Sequence, residues 1–441
     1  MACYPQSMPA ATQTSTQGQH LSPPLSEALT YAASVIAAVI GGSNLDRALA
    51  NIPAPQRPAV QDLAYGALRQ FGRGDALLAS LLSKPLGEIT IRSLLLAALY
   101  RLEERPDDAY TTVNQAVTAA ATTANGRFKS LVNAVLRNFQ RQDTSLVNTA
   151  LTPDYARWQH PQWWIEKVRK DHPLQWQQIL EGGNQRPPMT LRINRRRIDS
   201  ANIYVNRLTT AGISAKALDD SAVLLGKPVP VAQLPGFAAG DVSVQDWGAQ
   251  YAARLLDSQP GMRVLDACAA PGGKAAHMLE IADIDLTALD TDAKRLERVG
   301  ENLRRLGLSA TLVATDATAT KLWWSGQVFD RILADVPCSA SGVVRRHPDA
   351  KWLRRRADVA GFSRTQARIL DALWQTLAPG GKMLYCTCSV FADENQHQIA
   401  SFAARHTDAM RLETGGGQIE LQLLPTHEHD GFYYALLQKH A

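Results

Sequence analysis

Residues 262–274 read MRVLDACAAPGGK, and the fold turns on them. MRVLDAC is a short apolar run of strand character that stops at an acid, Asp266. A glycine-rich turn follows, and in KAAHMLEIA apolar residues then recur at helical spacing. Strand, glycine turn and helix open a βαβ unit, and the alternation continues toward the C-terminus. IDLTALD (284–290), ATLVATD (310–316), FDRILADVP (329–337) and KMLYCTCS (382–389) read as strands. DAKRLERVGENLRRLGL (292–308) and SRTQARILDALWQTLAPGG (363–381) read as helices, the second stopped by its glycines. The pattern predicts a doubly wound, mostly parallel sheet, with GFYYALLQK (431–439) as its antiparallel edge. In such sheets ligands bind outside the carboxyl ends of the strands.

Three strands in succession end in acids: Asp266, Asp290 and Asp316. The turn between the first strand and its helix is neither a dinucleotide fingerprint nor a phosphate-binding loop. Acids able to accept from ribose hydroxyls or an adenine amine, without a phosphate cradle, favour S-adenosyl-L-methionine over a nicotinamide dinucleotide. The fourth strand ends in Asp335 and Cys338, the fifth in Cys386 and Cys388. With Cys3 and Cys268 these are all the cysteines of the chain. An odd, low cysteine count without an export signal argues for free thiols in a reducing cytoplasm. No Cys-x2-Cys pair is present and the histidines are scattered, so no metal is expected. A thiol at a strand end beside a cofactor pocket reads instead as a nucleophile.

Upstream the texture changes. Residues 1–24 lack periodicity and read as a disordered tail that includes Cys3. Residues 25–148 carry helical repeats broken by Gly and Pro, predicting an all-α domain of six or seven short helices. Residues 149–240 read as a small α/β linking module, followed by the catalytic unit 241–441. The tryptophans at 158, 163, 164 and 176 read as core rather than as base-stacking platforms. No apolar run approaches the roughly 20 residues of a membrane helix. The net charge of +5 is mild, but two runs concentrate it: RINRRR (192–197) and RRHPDAKWLRRR (345–356). Two such runs favour a polyanionic partner, with Arg192, Arg345, Arg346 and Lys351 as the expected contacts to it.

DACAAPGGK, DVPCS and TCS, in this order, resemble the RNA cytosine-5 methyltransferases of the Nol1/Nop2/Sun type. The helical region ending in SLVNAVLRNFQRQ resembles a NusB-like RNA-binding domain. NQRPPMTLRIN, CSASGVVRRHPDAKWLRR and DGFYYALLQK extend the likeness toward the bacterial 16S ribosomal RNA methyltransferases of the RsmB (Sun/Fmu) family. The resemblance implies a multidomain chain: an all-α NusB-like domain, a linking module, and an α/β Rossmann-like class I methyltransferase domain. It implies a soluble cytoplasmic monomer that methylates carbon 5 of a 16S ribosomal RNA cytosine, number 967, before or during small-subunit assembly. By the same resemblance, Cys268, Ala269, Ala270, Pro271, Gly272, Gly273 and Lys274 form the loop around the methionine part of S-adenosyl-L-methionine. Asp290 then takes the ribose, Asp316 lies near the adenine, and Asp335 serves both cofactor and base, paired with Lys274. Cys388 is the nucleophile and Cys338 helps resolve the adduct; Cys386 reads as structural. Thr315 and Ala317 flank Asp316 where the family usually has glycines. Rival readings are a transfer RNA target, a non-catalytic antiterminator-like RNA-binding protein and a nicotinamide-dependent oxidoreductase.

Overall fold

A computed structural model describes residues 23–142 and 148–440. Most of the expected tail, Cys3 included, lies outside the described residues. Residues 25–142 form seven α-helices: Leu25–Ile40, Leu45–Leu49, Arg57–Arg69, Phe71–Leu81, Ile89–Glu104, Ala109–Thr122 and Lys129–Arg141. Their hydrophobic core is drawn from residues between Ala28 and Leu136. Helix Ile89–Glu104 runs through its centre, with Ile91, Leu94–Leu99 and Leu102 all buried. A helix apolar on every side must be enclosed on every side, and here the other helices enclose it. Gly66 lets helix Arg57–Arg69 lie against the Tyr100 ring, where a Cβ would sit 1.9 Å from a ring carbon.

The linking region begins with short helices, Asp154–Trp158, Gln162–Asp171 and Trp176–Gly182. Trp158 and Trp164 are buried, and their cluster includes Val344, Val359 and Phe391 of the catalytic unit. The tryptophans are therefore core, and more specifically an interdomain core. A four-stranded antiparallel sheet follows, in the order β2-β3-β1-β4, with β1 Thr190–Ile193, β2 Ala215–Ala217, β3 Ala222–Leu225 and β4 Val242–Val244. The boundary expected at 240 cuts this sheet: β4 belongs to the linking module, because its backbone pairs with β1.

The catalytic unit is one eight-stranded sheet. Its strands are β5 Arg263–Asp266, β6 Asp285–Asp290, β7 Thr311–Ala314, β8 Phe329–Asp335, β9 Leu377–Thr387, β10 Ala409–Leu412, β11 Leu421–Leu423 and β12 Phe432–Lys439. The order is β10-β12-β9-β8-β5-β6-β7, with β11 also paired to β12. Strands β5 to β9 pair in parallel and β12 runs antiparallel to β9. Two expectations need correction. Strand β12 is not the edge, because β10 and β11 pair beyond it. The long helix is Arg356–Thr376, and β9 already begins at Leu377, so the glycines at 380 and 381 lie within the strand segment and do not end the helix. Strand order reverses between β5 and β8, and the crevice opens at that switch point. No described helix is long and apolar enough to cross a membrane.

Candidate active site

The loop after β5 is shaped by backbone bonds. Gly272 takes φ 95°, where a Cβ would press within 3.0 Å of Val299, so the turn requires glycine. The Ala269 N–H donates to the Leu289 carbonyl (2.8 Å), and the Ala270 N–H to Asp290 Oδ2 (3.1 Å). Asp290 Oδ1 accepts from the Asp292 N–H (2.9 Å), so the buried carboxylate is aimed by main chain on both oxygens. Asp316 accepts from both the N–H and the hydroxyl of Thr318 (2.8 Å each), a local turn that needs no flanking glycines. Pro271 and Gly273 complete the turn into helix Gly273–Ile281.

A cleft of about 310 Å³ gathers these groups. Its lining includes Cys268, Ala270, Asp290, Asp316, Asp335, Cys338 and Cys388. Of the loop residues expected to hold cofactor, Cys268 and Ala270 line the cleft. Asp266 lies buried behind it with neither carboxyl oxygen in a hydrogen bond, and burial and then Asp335 push its pKa up to about 7. Burial and the neighbouring acids raise the Cys268 thiol as well, which keeps it protonated. Carboxylates at three strand ends, an unpartnered buried acid and no phosphate cradle fit a nucleoside with a polar, phosphate-free extension, as S-adenosyl-L-methionine is.

The reactive end of the cleft is at β8 and β9. Cys338 Sγ and Cys388 Sγ lie 3.3 Å apart, both reduced. The bond to Cys388, and then burial, hold the Cys338 pKa well above the usual thiol range. Lys274 Nζ meets Asp335 Oδ2 at 2.5 Å; although burial opposes its charge, Asp335 keeps the ammonium well above its ordinary pKa. Cys386 is fully buried, and its S–H donates to Asp335 Oδ1 (3.3 Å). It packs in the hydrophobic core of the sheet and touches the acid.

Glu394 escaped the sequence reading. This fully buried carboxylate accepts from the N–H (2.7 Å) and hydroxyl (2.5 Å) of Ser339 and from the hydroxyl of Ser389 (2.5 Å). Ser339 follows Cys338 and Ser389 follows Cys388, so one carboxylate ties both thiol loops together. A serine after each cysteine was the available signal.

The expected RNA contacts are corrected. Arg192 is buried: it pairs with both Glu280 oxygens (2.8 Å each) and donates to the Gly273 carbonyl (2.8 Å), bracing the cofactor loop from the linking module. Arg345 is buried against Asp430 and the Thr426 carbonyl. Arg346 is engaged by Asp430, by Asp246 (2.9 Å) and by the Pro188 carbonyl (3.0 Å). Lys351 is buried and donates to the Arg69 carbonyl (3.0 Å) and Asn184 Oδ1 (2.8 Å). Burial, then Arg69, lowers its pKa well below that of a free lysine. These groups are buried or half-buried and internally paired: Arg192, Arg346 and Lys351 bond across units, and Arg345 bonds within the catalytic unit. Among the described residues no His/Cys/Asp/Glu group could hold a metal ion.

The whole layout recurs in known proteins. Residues 26–141 match the NusB family, 160–232 the ferredoxin-like domain of RsmF/B-like methyltransferases, and 253–438 the 16S rRNA methyltransferase RsmB/F family. The chain is 43% identical over 419 residues to the ribosomal RNA small subunit methyltransferase B of Vibrio cholerae, covering 92% of this chain and 96% of that one. This chain belongs to the RsmB family. The Salmonella typhi protein of the same name is 44% identical over 387 residues, 86% of this chain and 90% of that one. A similar fold is seen in the crystal structure of PH0851, which has a TM-score of 0.77, 21% identity, and coverage of 95% of this chain and 100% of that one. That likeness speaks for the fold. A methyltransferase homologue from Pyrococcus horikoshii gives a TM-score of 0.56 at 27% identity, over 65% of this chain and 97% of that one. As in other members of this methyltransferase family, the cofactor is S-adenosyl-L-methionine.

Proposed function

We propose that this RsmB-family enzyme methylates carbon 5 of a cytosine in 16S ribosomal RNA through a covalent bond between Cys388 Sγ and carbon 6 of the base. One observation carries the reading: two reduced thiols 3.3 Å apart at adjacent strand ends, in the same cleft as the acids that suit the cofactor. The bound cofactor supplies an electrophilic sulfonium methyl. Carbon 5 of cytosine is too weak a nucleophile to accept it directly. Addition of the Cys388 sulfur to carbon 6 makes the ring enamine-like and carbon 5 reactive. Asp335, fixed by Lys274 and Cys386, faces the ring nitrogen, where charge develops during addition. Cys338 then removes the carbon-5 proton, itself or through a water, and Cys388 departs. The target base must be unstacked to expose carbon 6.

Cytosine 967 is the position the family resemblance favours, with the enzyme acting as a cytoplasmic monomer before or during small-subunit assembly. Cys388→Ala should bind RNA and cofactor yet transfer no methyl group. Cys338→Ala should transfer it and stall as a covalent protein–RNA complex that survives a denaturing gel. A trapped complex with Cys388→Ala alone would reverse the two roles, and none with either variant would end the covalent reading. Bisulfite sequencing of ribosomal RNA from a deletion strain locates the methylated cytosine.

A further inference from the structure

The cleft is a poor place for a polyanion. Asp266, Asp290 and Asp335 end its strands, Asp316 lies two residues beyond β7, and Lys274 is paired with Asp335. A phosphodiester chain that delivers a base to Cys388 passes close to these carboxylates and needs local positive charge to do so. Two guanidiniums line the cleft. Arg295, on the cofactor side, donates to the Ala270 carbonyl (3.0 Å) and sits 4.0 Å from Asp290. Arg368, on the side of Cys338, is exposed and has no hydrogen bond or ion pair among the described residues.

Helix Arg356–Thr376 carries Arg368 together with Thr365, which also lines the cleft. Arg364 lies one turn earlier, on the same face, and is equally exposed and unpaired among the described residues. The acid that might have neutralised them, Asp371, is taken by Arg405 (3.1 Å) and His406 (2.9 Å). Asp358 on the first turn caps the Arg355 N–H (2.8 Å). The contrast with Arg192, Arg345, Arg346 and Lys351 is direct: those are engaged internally, whereas this pair is exposed and unpaired among the described residues, with Arg368 lining the cleft.

We propose that Arg364 and Arg368 form a phosphate-binding subsite that grips the RNA backbone beside the target nucleotide. The proposal rests on the ribosomal RNA reading above. It assigns sequence-independent grip to this helix and leaves the cofactor to the opposite wall of the cleft.

The test measures binding of a 16S ribosomal RNA transcript to the full chain across a salt series, alongside calorimetric binding of S-adenosyl-L-methionine. For the Arg364→Ala/Arg368→Ala double variant, the slope of log affinity against log salt should flatten by about one unit per arginine, and RNA affinity should fall at least about tenfold at moderate salt. Arg368→Lys should recover most of the slope. Cofactor affinity and the thermal midpoint should not move, since both side chains are exposed. An unchanged RNA slope would overturn the subsite. Weakened cofactor binding with unchanged RNA binding would also overturn it, by assigning the arginines to the cofactor instead. Failure of the wild-type chain to methylate the transcript at any cytosine would strike the proposed function, while the slope comparison would still judge the subsite on its own.

Discussion

The loop 268–274 and the segment 345–356 both follow strands of the same sheet, yet they spend their polar groups in opposite directions. The loop satisfies its own main chain against Asp290 and Leu289 and leaves Cys268 and Ala270 on an open cleft. The segment turns inward: Arg345 and Arg346 converge on Asp430, Asp349 accepts from the Leu45 N–H (2.9 Å), and Trp352 donates to the Leu68 carbonyl (2.9 Å). Charge density along a chain therefore says little about a ligand until burial is known. A buried charge needs its partner, and losing that partner is felt as instability; a charge at a cleft is free to meet a ligand, and its loss is felt as affinity.

That distinction can be broken by mutation. The largest effect is expected at the joint. Asp430→Ala leaves the buried Arg345 facing no carboxylate and Arg346 with Asp246 alone, which should cost about 3–5 kcal/mol of stability. Chemical denaturation reads this, and a loss below about 1 kcal/mol would mean that water reaches the cluster.

The next effect is a pH dependence. Asp266 has its folded pKa raised from 3.8 to about 7, so between these values the folded chain binds more protons than the unfolded one. Stability from this group is present at acid pH and declines as pH rises from about 4 through 7, by at most about 4 kcal/mol at 1.36 kcal/mol per unit. Asp266→Asn should flatten that decline in cofactor-free protein, and an unchanged profile would show that Asp266 ionises freely.

On the cleft side, Asp290→Ala should weaken S-adenosyl-L-methionine by about 1.5–3 kcal/mol, the worth of hydrogen bonds to a charged group. Calorimetry checks this, and equal affinity would remove Asp290 from the site. The smallest effect sharpens the comparison inside one strand. Cys386→Ala should lose about 1 kcal/mol of packing and bonding and retain methylation, whereas Cys388→Ala, two residues on, abolishes it. Loss of activity in both would make Cys386 more than packing.

The cleft was legible because its chemistry is local. Asp266, Asp290 and Asp335 each close a strand whose pattern is visible in a few residues, and Gly272 marks the turn that follows. What escaped depends on contacts across long separations. Glu394 reaches Ser339 over 55 positions, and Lys351 reaches Arg69 over 282; no spacing rule connects such residues. β4 was missed as part of the linking sheet because three residues show too little alternation. The glycines at 380 and 381 resembled a helix stop, but the parallel pairing of Phe329 with Leu377 had already drawn the chain into β9.

The bond from Lys351 to the Arg69 carbonyl also sets a schedule. During synthesis, the 282 residues between them take roughly 14–56 s to emerge at about 5–20 residues per second. The helical domain does not have to wait, since its core is drawn from residues 28–136. Its docking face, including the Leu68 and Arg69 carbonyls, meanwhile stays in water. Carbonyls tolerate that interval well, because hydration satisfies them as fully as a lysine does. The ribosome thus extrudes a finished first domain with its mating surface still wet, and residues 349–352 close that surface when they arrive.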